Sequence, residues 1–147
     1  MKAAVLSRIT NVRNHPTPLT FVDIPTPHPQ EDQVRVRVSA CGVCHTELDE
    51  IEGRTPPVAL PFILGHQIVG VVDARGPLAA KYAKGQRVGI GWIGSSCGRC
   101  WYCRDGRENL CPDFKATGRD LPGGYAQYVC VSERFAFPIP DIFTDAQ

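Results

Sequence analysis

The chain lacks an excess of charge of either sign, and it lacks long apolar runs. Its 16 Lys and Arg oppose 15 Asp and Glu, so no net field attracts nucleic acid or an anionic membrane, and a small neutral partner fits better. The apolar runs are a few residues long, whereas a membrane-spanning helix needs about 20. The apolar stretch at the N-terminus is too short for a signal peptide. We therefore expect a cytoplasmic protein that binds neither nucleic acid nor a membrane.

Helical periodicity is also scarce. Fourteen Gly and 13 Pro lie scattered between short apolar segments, a pattern typical of many short strands. The clearest strand covers residues 34–38, where Val alternates with Arg so that one face is buried. Other strands are predicted at 2–6, 19–24, 68–73, 87–92, 125–131 and 135–138, and short helices at 45–51 and 99–104. We predict one domain over residues 1–147, a mainly β, partly open barrel with a few short helices.

Four of the seven cysteines form the pattern C-x2-C-x2-C-x7-C at Cys97, Cys100, Cys103 and Cys111. Four thiolates this close can surround one zinc ion at S–Zn distances of ~2.3 Å, and such a closed site serves folding, with no position for a substrate. An iron–sulfur cluster would also suit four cysteines. Two disulfides conflict with the expected compartment, and a nucleic-acid-binding zinc module conflicts with the net charge. We predict a structural-zinc lobe over about residues 94–117, with Trp101 and Tyr102 as packing residues.

A second group of candidate ligands follows the predicted strand at 34–38. Cys44 and Thr46 lie in CGVCHTEL, and His66 lies in GHQ. Each signal is weak alone, because a CxxC pair can be a redox pair and a lone buried His is commonly a core residue. Together they supply a thiolate, a hydroxyl and an imidazole. This is the composition of a catalytic zinc site, in which one position stays open for a substrate oxygen.

With CGVCHTEL, GHQIVG, GWIGSSCGRCWYC, ENLCP and GGYAQY on one chain, the sequence resembles the catalytic, GroES-like domain of zinc-dependent medium-chain alcohol dehydrogenases over essentially its whole length. The resemblance implies an oxidoreductase that interconverts small primary alcohols and aldehydes with NAD or NADP, as a homo-oligomer. The nicotinamide-binding Rossmann domain is expected to be missing, because no G-x-G-x-x-G fingerprint between a strand and a helix occurs.

The resemblance also implies roles for individual residues. Cys44 and His66 match the catalytic-zinc ligands, and the family's third ligand, a Cys, comes from the cofactor domain. We therefore expect that the catalytic site of this chain binds zinc weakly or not at all. Thr46 matches the hydroxyl that relays the proton of the alcohol, and Glu47 matches a carboxylate that orients the ligating imidazole.

Two further positions are carried over in the same way. His45 matches a contact to the pyrophosphate of the cofactor, and Trp92 matches a residue that narrows the substrate pocket. Simpler roles stay open for three of the residues: Thr46 as a helix cap, Glu47 as a solvated acid and Trp92 as core.

The chain departs from the family pattern at three positions. Gln67 replaces the usual Glu after the ligating His and would make any contact with the metal weaker. Asp49 stands where a His often ends the proton relay, so the proton would leave through water or this carboxylate. Gln86 replaces an Asp in a turn.

Two other functions remain as alternatives to the dehydrogenase. The chain could be an isolated zinc-binding domain, or a truncated fragment, with no activity of its own. A co-chaperonin role follows from the fold name alone, and the two groups of cysteines weigh against it.

Overall fold

The computed structural model describes residues 1–146, and strands dominate this part of the chain. The strands are β1 Lys2–Leu6, β2 Leu19–Asp23, β3 Gln33–Gly42, β4 Phe62–Ile63, β5 Gln67–Arg75, β6 Arg87–Ile90, β7 Ile93–Ser95, β8 Lys115–Ala116, β9 Tyr128–Ser132 and β10 Ala136–Pro138. The helices are α1 His45–Ile51 and α2 Trp101–Arg104, with 3-10 turns at Glu108–Leu110 and Glu133–Phe135. In this part of the chain no helix is long and apolar enough to cross a membrane.

The largest sheet is antiparallel and has the order β10-β6-β5-β3-β9. The Val residues of β3 alternate with Arg, so that Val34 and Val36 are buried in the main core while Arg35 forms an ion pair with Asp73 on the other face. The β3–β5 pairing shifts register after Arg35 and after Val38, and such bulges bend a sheet. Because the two edge strands do not pair with each other, the curved sheet stays open on one side.

A smaller sheet, ordered β2-β1-β4, lies beside the large one. The two are linked because β1 exchanges backbone hydrogen bonds with residues 125–127, just before β9. Leu6, Ile51 and Leu64 form a second buried cluster under this sheet. Ile51 ends α1 and Leu64 lies two residues before His66, so the cluster connects the two segments that carry candidate ligands.

The prediction of a mainly β, partly open barrel with a few short helices is confirmed. The predicted strand at 87–92 is wrong in its last two residues: β6 ends at Ile90, and β7 is a separate strand that pairs with β8. The strand predicted from 125 begins only at Tyr128, because the N–H groups of Gly124 and Tyr125 donate to the loop before His66. The helix predicted from 99 begins at Trp101, since Cys100 is its extended N-cap.

Replacing Leu64 with Ala tests the second cluster. Leu64 is fully buried, so Leu64→Ala should lower the free energy of unfolding by about 2–5 kcal/mol through lost burial and a residual cavity. Urea unfolding measures the change. The matched control Leu78→Ala, at an exposed position, should stay within about 0.5 kcal/mol. Equal effects of the two substitutions would contradict the assignment of the cluster.

Candidate metal centres

The four cysteines of the lobe converge on one point. Cys97 follows β7, Cys100 and Cys103 flank and enter α2, and Cys111 ends the 3-10 turn. Their sulfur atoms all lie within 4.8 Å of one another, with 3.5 Å between Cys100 and Cys103 and 3.9 Å between Cys97 and Cys103. A tetrahedron with metal–sulfur bonds of ~2.3 Å has edges of about 3.8 Å. The cluster therefore fits a single zinc ion.

Neighbouring groups favour the thiolate form, which binds metals, at two of the four cysteines, whereas the pKa of Cys100 is raised to about 11. Hydrogen bonds from the N–H groups of Arg99 and Cys100 lower the pKa of Cys97 to about 6. A contact with the Ser96 hydroxyl lowers the pKa of Cys103. None of the described cysteines forms a disulfide, so the disulfide alternative is wrong.

The lobe has almost no apolar interior of its own. Between residues 96 and 114, Cys111 alone is buried. Trp101 is 70% exposed and Tyr102 is exposed as well, so their predicted role as packing residues is wrong. A metal ion would take the place of a hydrophobic core here.

The second centre begins at Cys44, the N-cap of α1. Its sulfur accepts the backbone N–H of Thr46 at 3.3 Å, and its own N–H donates to Oε2 of Glu47 at 2.7 Å. This reciprocal capping fixes the thiol at the start of the helix. The alternative in which Thr46 is the cap is therefore wrong, since Thr46 is the second helical residue and is half-buried.

His66 reaches the same point from the loop between β4 and β5. Gly65 before it has φ of +95°, and a Cβ there would lie 2.8 Å from Cys41 Sγ and from the Tyr125 ring. The close packing around this turn holds the following imidazole in place. Nε2 of His66 lies 3.4 Å from Cys44 Sγ.

The other nitrogen of His66 faces Glu47. Nδ1 lies 2.8 Å from Oε1 of this carboxylate, and the pair is only 8% and 1% exposed. The two atoms are close but poorly aligned for a straight hydrogen bond. Because Glu47 is buried, its alternative role as a solvated acid is wrong. The carboxylate stands where a group that orients a ligating imidazole is needed.

Cys44 and His66 together present sulfur and nitrogen to one position, and these are ligands that zinc prefers. The ligand atoms of Cys44, Glu47 and His66 lie within 4.8 Å of one another. Both oxygens of Glu47 already face neighbouring groups, so the carboxylate suits support better than direct ligation. Two protein ligands leave open positions on a bound ion.

The remaining predicted residues surround this centre at different distances. Trp92 packs edge-on against His66, with ring centroids 4.8 Å apart, and is half-buried, so it is not plain core. His45 is exposed, and its Nε2 lies 3.7 Å from Asp49, which also pairs with Arg54. Gln67 is exposed at the start of β5, where its side chain lies against Gly42. Gln86, the third departure, accepts the N–H of Ala83 in a turn.

Cys41 does not form a redox pair with Cys44. Burial raises the pKa of the Cys41 thiol to about 12, so it carries no thiolate near neutral pH. Its sulfur packs against the main core. Cys41 therefore behaves as a small hydrophobic residue.

Two charged residues near the centre, Glu50 and Arg119, were missed from the sequence. Glu50 is fully buried one turn after Glu47 on the same face of α1, and its carboxyl oxygens have no hydrogen-bond partner. Burial, and then the charge of Glu47, raise its pKa to about 8, while Arg119 acts in the opposite direction. The spacing of three residues between Glu47 and Glu50 is the one local signal that could have identified Glu50.

Comparisons with known proteins agree on one family. The profile of the alcohol dehydrogenase GroES-like domain matches residues 30–141. A probable alcohol dehydrogenase AdhA of Mycobacterium tuberculosis is 42% identical over 88% of this chain and 39% of its own length. An alcohol dehydrogenase of Geobacillus stearothermophilus is 39% identical over 96% of this chain and 40% of its own length.

Solved structures give the same result. An NAD-dependent alcohol dehydrogenase superimposes with a TM-score of 0.90 at 36% identity, over 99% of this chain and 41% of the other. A putative zinc-binding dehydrogenase from Sinorhizobium meliloti bound to NADP has a TM-score of 0.81 at 35% identity, over 98% of this chain and 40% of the other. The chain thus spans about 40% of the length of these relatives.

Replacing Glu50 with Gln should change how stability depends on pH. The folded carboxyl has a pKa of about 8 against 4.5 ordinarily, so its stabilising contribution is present below about pH 4.5 and is lost as pH rises through about 8. Glu50→Gln cannot ionise. Relative to the unsubstituted chain, it should gain a few kcal/mol of unfolding free energy across this window.

Urea unfolding at about pH 5 and about pH 8.5 measures this gain. Glu31→Gln, at an exposed position, is the matched control and should show no such change. If the unfolding free energies of the Glu50→Gln variant and the unsubstituted chain change equally between the two pH values, the carboxyl is not held protonated by the fold.

Proposed function

Since the chain belongs to the family of alcohol dehydrogenase GroES-like domains, we propose that it is the catalytic domain of an enzyme that interconverts small primary alcohols and aldehydes with NAD or NADP. The observation that carries this proposal is the convergence of Cys44 and His66, 3.4 Å apart, beside a buried carboxylate. A substrate oxygen needs such an incompletely ligated metal. The whole of residues 1–147 would serve as this domain, with the zinc lobe at about 94–117.

The two centres would have different roles. Cys97, Cys100, Cys103 and Cys111 would hold a structural zinc, because four thiolates leave no open position. Cys44 and His66 would hold the catalytic zinc, with a third ligand from outside this stretch. Glu47 would fix the His66 ring from its Nδ1 side and so aim Nε2 at the metal.

Zinc supplies a Lewis acid that lowers the pKa of an alcohol hydroxyl, and the nicotinamide supplies a hydride acceptor. The proton of the alcohol would pass to the Thr46 hydroxyl, which can accept and donate. Asp49, three residues further along α1, would continue the route to solvent. His45, exposed at the start of α1, would contact the pyrophosphate of the cofactor.

Trp92 would form one wall of the substrate site, since its indole packs against His66. A bulky wall next to the metal favours small alcohols. Gln67 would tune the centre only weakly, because an uncharged amide is a poor partner for a cation. The near-zero net charge supports a small neutral substrate and no nucleic acid or membrane partner. A cytoplasmic location and a homo-oligomer complete the proposal.

Zinc analysis of the 147-residue chain tests the two metal roles. After mild chelation we expect nearer one zinc per chain than two, because four thiolates hold the ion in the lobe while the second centre offers two protein ligands. Two tightly held zinc ions would contradict this. Cys100→Ser should unfold the lobe and lose the retained zinc, whereas the matched Cys44→Ser should keep both the fold and that zinc.

Alcohol oxidation tests the activity itself. In the protein that joins this domain to a nicotinamide-binding half, a small primary alcohol should be oxidised with NAD or NADP. Cys44→Ser should lower kcat/KM on the order of 10³-fold or more, since the Lewis acid supplies several kcal/mol. The control Cys130→Ser, on β9 away from the centre, should leave the rate unchanged. Zinc binding without turnover in that protein would instead favour a zinc-binding domain with no activity.

A further inference from the structure

Arg119 lies in the turn after β8, and its guanidinium lies over two aromatic rings. The guanidinium carbon lies 5.3 Å from the centroid of Trp92 and 5.6 Å from that of Phe114. Nε and Nη2 both donate to Asp120, the latter at 2.7 Å, and Asp120 in turn accepts the N–H of Ala116 at 2.8 Å. The cation is therefore held by a carboxylate that is itself bound to the backbone of β8.

Trp92 stands between this cation and His66. Its ring meets the imidazole edge-on, at 4.8 Å and an interplanar angle of 74°. Its carbonyl accepts the N–H of Thr117 at 2.8 Å, which fixes the backbone but leaves the indole to be positioned by side chains. A cation over an aromatic face within about 6 Å attracts the ring.

The charge of Arg119 also acts on Glu50, a buried carboxyl of α1. Glu50 on α1 faces Glu47 and Asp49 from its own helix, and Arg119 and Asp120 from the turn after β8. Of these, Arg119 is the one that favours the ionised form of Glu50. The backbone adds a further link, since the Arg119 carbonyl accepts the N–H of Val58 at 3.0 Å, in the loop after α1.

We propose that Arg119 is a positioning residue for the Cys44–His66 centre, whose guanidinium holds the Trp92 indole against the His66 imidazole. The inference rests on the metal role proposed for His66. Glu47 holds the ring at Nδ1, and Trp92 limits its rotation from the side. Without the cation, the half-buried indole loses the group that packs on its outer face, and the imidazole is held from one side.

Tryptophan fluorescence tests the first step on the chain that holds zinc in the four-cysteine lobe and no metal at Cys44 and His66. The chain has two Trp, so Trp101→Phe at an exposed position leaves Trp92 as the sole tryptophan, which is excited selectively over tyrosine. In this background Arg119→Met keeps an apolar side chain of similar length but removes the charge. The acrylamide quenching constant of Trp92 should rise at least about twofold, while the far-UV circular dichroism stays the same. An unchanged quenching constant would overturn the proposal.

Binding of Co²⁺ tests the second step, the effect of Arg119 on the centre formed by Cys44 and His66. The first equivalent of metal fills the four-cysteine lobe, so that a further ion enters this second centre. A second Co²⁺ at Cys44 and His66 should quench Trp92, and Arg119→Met should weaken its Kd about fivefold or more, since the imidazole is less well oriented. Arg119→Lys keeps the charge but loses the planar stack. Its Kd for the second Co²⁺ should lie between those of the unsubstituted chain and of Arg119→Met. The control Lys81→Met removes an exposed cation stacked on Tyr82 and should change neither the quenching constant nor the Kd.

The outcomes separate the inference from the function on which it rests. If Trp92 becomes accessible in Arg119→Met but the second Co²⁺ binds as before, Arg119 packs Trp92 without positioning the metal centre, and the proposal is wrong. If the unsubstituted chain binds no second Co²⁺, the titration is repeated in the protein that joins this domain to its nicotinamide-binding half, which supplies the third ligand. Absence of binding there would show that the metal role of His66 is wrong, while an increase in acrylamide quenching would still assign the indole contact to Arg119.

Discussion

The carboxylate of Glu47 binds both segments that carry the candidate ligands, and the geometry of the centre depends on it. One oxygen accepts the N–H of Cys44, and the other lies 2.8 Å from Nδ1 of His66. The sheet brings these segments together first. Gly42 at the end of β3 pairs with Gln67 at the start of β5, so Cys44 and His66 leave the sheet at the same edge although 22 residues separate them. Glu47 then fixes the distance and direction between two side chains that the strands place only approximately.

The centre is costly to build because it places two carboxyl groups of one helix face out of water. Glu47 is compensated by the Cys44 N–H and by the imidazole, whereas Glu50 has no hydrogen-bond partner. A buried carboxyl without a partner destabilises a fold unless it takes up a proton. Such unfavourable groups accumulate at functional sites, where proteins trade stability for placement of charge. The apolar cluster of Leu6, Ile51 and Leu64 beneath α1 offsets part of this cost.

Local patterns in the sequence predict the parts of the molecule that are defined locally. The Val–Arg alternation at 34–38 predicts the centre of β3, and helix α1 is predicted with the bounds that the structure has. The spacing of the four cysteines predicts their convergence, because few residues separate them. The two-residue strands β4 and β8 escape prediction, since they exist only through pairing with β1 and β7. Arg119 escapes for the same reason: its role depends on Trp92, 27 positions earlier, and no local pattern joins them.

Few residues between 96 and 114 are buried, and this affects the order in which the parts of the molecule fold. Strands on both sides of this segment, β6 before it and β9 after it, complete the main core through their own apolar side chains. The barrel can therefore fold before a metal ion binds. The four-cysteine lobe folds afterwards, when zinc becomes available. When zinc is scarce, the product would be a folded barrel that carries an unfolded loop. Such loops are preferred sites of proteolysis.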